Sequence, residues 1–247
     1  MVLDAVIPAN TYNGSVVLKY TYIDGFSNQT ITKYSNTKYS LTTSPTPPPP
    51  TSPTTPVYLS NMVGIDIASD DHVFYWGLDG KVSSGTSTSM QSYSTPNAYS
   101  IPSGKNFSNI IAIATSHVGW QYAWYNDGTM SVGNTSNFGA YISPKSYILP
   151  PGKTPADIVG ISILKTNDYC YVWYKDGTGS IGNSTNLGAY TTTFNYTIAP
   201  GELYSNIAEI GFATSTGACY VWYKDGKMSV GTFAYDLDDY IPLKNMN

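Results

Sequence analysis

The chain has 247 residues, a net charge of −4, a pI near 4.9 and only 11% charged side chains. That leaves no basic patch to neutralise phosphates, which argues against nucleic acid as a partner and against anionic membrane surfaces. No apolar run approaches the roughly 20 residues of a membrane span, and the opening MVLDAVIPAN has neither the basic start nor the apolar core of a secretion signal. The expectation is a cytoplasmic protein, or one secreted without such a signal.

In chain order, VIPANTYNG (6–14) resembles SIPSGKNFSN (100–109) and reads as a strand and loop displaced from the other end of the chain. Residues 15–60 form a degenerate unit with three predicted strands and no Trp. The unit ends in PTPPPPTSPTTP (45–56), seven prolines in twelve residues, a polyproline-like stretch unsuited to a sheet ladder.

From residue 61 one pattern recurs four times: FYWGLDGKVSSG (74–85), YAWYNDGTMSVG (122–133), YVWYKDGTGSIG (171–182) and YVWYKDGKMSVG (220–231). Trp76, Trp124, Trp173 and Trp222 fall 48, 49 and 49 residues apart. A period of this length marks a repeat architecture whose units hide their apolar faces against one another. Before each Trp lies a short β-branched run (VGIDIAS, IIAIATS, IVGISIL, IAEIGFA), predicted to be an inner strand. The aromatic run through Trp is the second strand. Asp-Gly at Asp79, Asp127, Asp176 and Asp225 makes a tight hairpin, and a third strand carries Ser and Gly. Tyr93, Tyr141 and Tyr190, each 17 residues after their Trp, mark an outer strand, followed six residues later by Tyr99, Tyr147 and Tyr196.

Four antiparallel strands per unit predict an all-β protein, a β-propeller with repeat blades at 61–109, 110–157, 158–206 and 207–247. Counting 15–60 gives five blades; the alternative is four blades plus an N-terminal β-element. The last repeat lacks an evident outer strand, so the strand around Val6–Ile7 is expected to close the ring beside Ser229–Gly231, removing two exposed sheet edges.

Only two histidines, His72 and His117, are present, at non-equivalent positions, and no zinc spacing, phosphate loop or nucleophile elbow appears. No catalytic residue, metal or cofactor is expected; the recurring aspartates are explained by turn chemistry. Cys170 and Cys219 occupy equivalent positions on stacked sheets, on the order of 10 Å apart and too far for a disulfide. Six Asn-X-Ser/Thr sequons, at Asn13, Asn28, Asn106, Asn134, Asn183 and Asn195, are what a chain rich in these residues contains by chance.

The candidate binding residues are the repeated ones: Trp76, Trp124, Trp173 and Trp222, Ser83, Ser131, Ser180 and Ser229, and the residues after the strand glycines, Thr86, Asn134, Asn183 and Thr232. Each Trp is either inter-blade core or the wall of a cleft stacking on a sugar ring. Gly85, Gly133, Gly182 and Gly231 mark a bulge or a close approach to a ligand or another backbone.

LPPGKTPADIVGI (149–161), YVWYKDGTGSIGNSTNLGAY (171–190) and YVWYKDGKMSVGT (220–232) resemble the repeat of the Photorhabdus-type propeller lectins, over about residues 61–232. Gly77 and Leu78 depart from the pattern. The resemblance implies a propeller binding fucosylated or galactose-type glycans in pockets between blades: a multivalent, non-enzymatic lectin, with room for an oligomer. The alternative from another class is a propeller scaffold for protein partners.

Overall fold

The computed structural model describes residues 59–246, apart from 70–71, 214–216 and 240, and four strands between residues 14 and 41. The chain divides into two compact units, residues 1–54 and 55–247. In the first, β2 (Lys19–Ile23) pairs with β3 (Thr30–Tyr34), and β1 (Gly14–Val16) pairs with β4 (Tyr39–Leu41). Both pairings are antiparallel, and in sequence one hairpin lies within the other. Residues 6–7 and 45–56 lie outside the described residues.

The second unit is a β-propeller of four antiparallel four-stranded sheets, each in sequence order from axis to rim. The first blade is β5 (Met62–Ser69), β6 (His72–Gly77), β7 (Lys81–Thr86) and β8 (Ser89–Ala98). The second is β9 (Ile110–Thr115), β10 (Gln121–Tyr125), β11 (Thr129–Asn134) and β12 (Asn137–Ser146). The third is β13 (Ile158–Leu164), β14 (Tyr169–Tyr174), β15 (Thr178–Asn183) and β16 (Asn186–Asn195). The fourth is β17 (Ile207–Phe212), β18 (Cys219–Tyr223), β19 (Lys227–Gly231) and β20 (Ile241–Asn245). Helical structure among the described residues is limited to three-residue 3₁₀ turns that lead into each inner strand. The hairpins turn at the four Asp-Gly pairs, with the glycines at φ of +73° to +83°.

The inner strands pack in a closed cycle, β5 on β9, β9 on β13, β13 on β17 and β17 on β5, so the ring closes with four blades rather than five. The expected closing strand is also corrected. Ile241–Asn245 supplies the outer strand of the fourth blade, pairing Val230 with Ile241 and Lys227 with Asn245, so the edge assigned to Val6–Ile7 is already filled. The spacing hid this strand. The outer strands of the first three blades begin four residues past their glycine (Gly85 to Ser89, Gly133 to Asn137, Gly182 to Asn186), whereas β20 begins ten past Gly231. The intervening TFAYDLDD folds back through a Phe233–Asp236 bridge. Its Leu237 enters the core as Met90, Phe138 and Leu187 do in the other blades.

The core consists of four clusters, each shared by neighbouring blades. The repeated tryptophans are its largest members, all with no exposed surface. Each contributes on the order of 4–6 kcal/mol of apolar burial, before the entropy of ordering is set against it. Both cysteines are buried free thiols, as expected, and burial pushes both up.

At the axis, Gly64, Ala112, Gly160 and Glu209 hold equivalent positions, each paired with its blade's Trp. Three small residues leave room for one carboxyl, which receives the backbone amide of Ile210 at 3.2 Å, that of Ile161 from the neighbouring third blade and that of Ile113 from the second blade across the axis. Toward the opposite end from the Asp-Gly turns, Asp66 accepts the Thr115 amide at 2.8 Å, and Lys165 reaches across from the third blade to Asp66 and the Ile67 carbonyl. Burial, reinforced by the charge of Asp66, holds the Glu209 carboxyl well above its ordinary 4.5. A carboxyl raised in the folded state contributes stability that is lost as pH climbs from its unfolded value through its folded one. Glu209→Gln is therefore expected to raise the denaturant midpoint at pH 7–8 and to converge with the parent below about pH 4.5, as measured by urea unfolding across that range.

Candidate functional site

Of the sequence-predicted site residues, the tryptophans join one blade to the next, while the serines and the residues after the glycines bond within their own blade. The indole N–H of Trp76 donates to the Thr135 carbonyl of the next blade at 3.2 Å, Trp124 to Ser184 at 3.1 Å, Trp173 to Ala234 at 2.9 Å and Trp222 to Ser87 at 3.0 Å. The last of these runs from the fourth blade to the first. The core reading of the tryptophans is the one the structure bears out, because a ring with no exposed surface offers no face to a sugar.

The serines are equally committed. Ser83, Ser180 and Ser229 donate to the carbonyls of Met90, Leu187 and Leu237 at 3.0, 2.7 and 2.9 Å. Ser131, Ser180 and Ser229 also meet the hydroxyls of Tyr125, Tyr174 and Tyr223. All four serines are buried. The glycine that follows each by two residues is required by backbone approach: a Cβ at Gly133 would lie 1.8 Å from the Asn137 carbonyl oxygen, and one at Gly182 2.0 Å from that of Asn186.

The residues after the glycines shape turns. Asn134 Oδ1 accepts from Ser136 N, Ser136 Oγ and Asn137 N, and Asn183 Oδ1 accepts from Thr185 N, Thr185 Oγ1 and Asn186 N. Thr86 accepts no such set: its amide donates to Ser92 Oγ, while Thr232 donates through its amide and hydroxyl to Asp239. Asn134, Asn183, Thr86 and Thr232 keep partial or full exposure.

The hairpin aspartates are likewise engaged. Lys105 bridges to Asp127 and Thr129, and Lys153 to Asp176 and Thr178, each ammonium also standing over a tyrosine ring (4.9 Å from Tyr125, 4.6 Å from Tyr174). The lysine hydrogen bonds hold both carboxyls below the ordinary range. In the fourth blade the charges exchange places: Glu202 stands where the lysines do, and Lys227 replaces the threonine, bridging Glu202 at 2.8 Å and Asp225.

What sequence reasoning missed is an aromatic row. Residues four and two before each core Trp share its face of the strand, so the row runs outward from the core: Tyr122 stacks 6.0 Å from Trp124, and Tyr171 6.2 Å from Trp173. At its outer end the row meets the outer-strand tyrosine. Trp120 and Tyr141 have ring centroids 5.6 Å apart, Tyr169 and Tyr190 4.5 Å, and His72 and Tyr93 5.1 Å. Tyr93, Tyr141 and Tyr190 are 53–55% exposed and Trp120 is 43% exposed. Three equivalent pairs thus stand on three blades at the end away from the Asp-Gly turns. The signal was present as an aromatic at −4 (His72, Trp120, Tyr169) joined to a tyrosine at +17; the fourth blade has Ala218 at −4.

No protein-family model matches the sequence, and no curated protein matches it. Among solved structures the chain is similar to U3-55K (TM-score 0.33, 11% identity, covering 69% of this chain and 48% of that one). It is also similar to the RRP9 WD40 repeats (0.34, 10%, 70% and 48%), and to PorZ of Porphyromonas gingivalis (0.30, 12%, 68% and 19%). The chain spans about half the length of the first two and about a fifth of the third. At these values they add no argument about function.

The two kinds of recurring position separate in a mutant pair. Gly182→Ala drives a Cβ into backbone and is expected to cost about 3 kcal/mol, the upper end for overpacking. Asn183→Ala removes a turn acceptor and is expected to cost about 1 kcal/mol. Denaturant midpoints of the two variants against the parent check both values.

Proposed function

We propose that this propeller is a non-catalytic interaction scaffold for a protein partner, gripped by the repeated aromatic pairs whose outer-strand tyrosines are exposed. The observation that supports it most is the placement of Trp120–Tyr141, Tyr169–Tyr190 and His72–Tyr93 at one position on three blades. Tyr and Trp are enriched at interface cores and dominate their energetics, since each brings a large flat apolar face and a polar tip. Charged side chains make up only 11% of the chain, which limits the desolvation cost of covering its surface, although the exposed His117–Asp168 ion pair stands beside Tyr169 in the sequence. Repetition multiplies weak contacts: one partner meeting two or three pairs gains avidity on the order of 10²–10⁴-fold where spacing allows.

A second reading uses the same rings. Outer strands such as SMQSYSTPNA and NLGAYTTTFN put Ser and Thr hydroxyls around an exposed tyrosine, which also suits a multivalent lectin for fucosylated or galactose-type glycans. The pockets would then be the outer aromatic pairs and not the buried core tryptophans.

Tyr141→Ser combined with Tyr190→Ser changes two exposed side chains and should cost less than about 0.5 kcal/mol each. Affinity capture from the native source, with crosslinking, should retain a protein partner on the parent and lose it on this double variant at unchanged melting temperature. A saturable signal on a glycan array, competed by free sugar and lost in the same variant, would favour the second reading. Retention of every ligand by the double variant contradicts both.

A further inference from the structure

The fourth blade departs from the other three in the connection between its third and fourth strands. After Gly85, Gly133 and Gly182 come short uncharged turns, TST (86–88), NTS (134–136) and NST (183–185), whereas Gly231 is followed by TFAYDLDD (232–239). An insertion confined to one repeat falls in a loop and often marks a binding face. This one is firmly held against the third blade. The Ala234 carbonyl accepts the Trp173 indole N–H, the Tyr235 carbonyl accepts the Thr197 amide at 2.9 Å, and the Leu237 amide donates to the Thr197 carbonyl at 3.2 Å.

On that fixed backbone the loop displays two kinds of group. Phe233 and Tyr235 are 38% and 43% exposed. Tyr235 meets Phe194 of β16 edge to face, with centroids 4.9 Å apart at 88°, and Phe233 continues inward to Tyr171 and Phe212, so the exposed rings form an apolar ledge backed by the core. Beside them are three carboxyls within four residues: Asp236 and Asp239 exposed, Asp238 half-buried. Asp236 accepts from Thr197 Oγ1 at 3.1 Å, and Asp239 from the amide and hydroxyl of Thr232. Among the described residues no ammonium or imidazole pairs with any of the three. Burial, and then the adjoining Asp236 and Asp239, hold the Asp238 carboxyl above its ordinary value, so a cation placed here relieves a repulsion that nothing else offsets.

Apolar rings beside unneutralised carboxyls match one side chain best. Arginine lays its aliphatic stem and flat, weakly hydrated guanidinium against aromatic surface while its fork of N–H donors meets carboxylate oxygens. The chain contains no arginine, so an arginine at this ledge comes from another protein. We propose that residues 233–239 form a docking site for an arginine-bearing segment of a partner protein. The ledge is a different surface from the Trp120–Tyr141 and Tyr169–Tyr190 pairs, and the proposal does not depend on what those pairs bind.

The probe is a fluorescein-labelled GRGRGRG peptide, titrated by anisotropy against the full chain beside GKGKGKG and GQGQGQG. Saturable binding of the arginine peptide is expected with a Kd of about 10⁻⁵–10⁻³ M, weakening about tenfold or more as NaCl rises from about 50 to 500 mM. Asp236→Asn with Asp238→Asn should weaken it about tenfold or more, and Tyr235→Ser about threefold or more, at unchanged melting temperature. Asp238→Asn alone serves if the double variant melts lower. Tyr141→Ser with Tyr190→Ser should leave the peptide bound as before. No saturable binding, equal binding of the glutamine peptide, or indifference to both the aspartate and the tyrosine changes overturns the proposal, and a lysine peptide that binds as tightly overturns the assignment to arginine. Loss of the peptide in the Tyr141 and Tyr190 variant places it on the aromatic pairs instead. Calcium chloride titrated by calorimetry, bound by the parent and lost in the aspartate variant while the peptide does not bind, assigns the carboxyls to a divalent cation and also overturns the proposal.

Discussion

One hydrogen bond, made four times, organises this propeller: the indole N–H of a buried tryptophan reaching a carbonyl in the third hairpin of the next blade. A tryptophan can lie wholly in a core only if its N–H finds an acceptor, because an unpaired donor there costs about 1–3 kcal/mol. Placing that acceptor on the neighbouring blade turns each large aromatic into a fastener between sheets. Around the first three seams the backbone adds parallel bridges, Ser100 to Asn137, Ile148 to Asn186 and Thr197 to Asp236. At the seam between the fourth and first blades the chain end arrives, and the Trp222 bond to Ser87 spans it.

The same constraint sets the other repeated residues. The carbonyl must be held at a fixed height, so the third strand bulges where the register shifts in β7, β11, β15 and β19. The buried serine pins that bulge to the strand beyond it, and the glycine lets two backbones approach to a separation no side chain would permit. The most regular positions are thereby used up in holding the ring. The aromatic row beginning at the same tryptophan emerges at the surface four residues earlier in the chain, joining core and candidate site along one strand face.

Much of this was legible in the sequence. The spacing of Trp76, Trp124, Trp173 and Trp222 marked four repeats and the Asp-Gly pairs placed the hairpins, but counting residues 15–60 as a further unit put the ring at five blades where it closes with four. Two features were not legible for a physical reason. The outer strand at Ile241–Asn245 follows an enlarged loop, so an offset learned from the other repeats misplaced it, and Val6–Ile7 was assigned a vacancy that did not exist. The tryptophans and serines were offered as ligand contacts because they recur, whereas Ser180, Gly182 and Trp173 recur because every seam makes the same demand on packing and hydrogen bonding. Trp120 escaped notice because its equivalents are His72 and Tyr169, alike in being aromatic but not identical.

The central claim is that the four indole bonds, including the one from Trp222, hold the ring closed. Hydrogen exchange of the five tryptophan indole N–H groups, followed by two-dimensional NMR on the nitrogen-15-labelled protein, tests it most directly. Four of these resonances should exchange slowly, on the timescale of the most protected inner-strand amides, and the Trp120 indole should exchange rapidly. A Trp222 indole that exchanges as fast as that of Trp120, while the other three stay protected, would contradict closure through this bond.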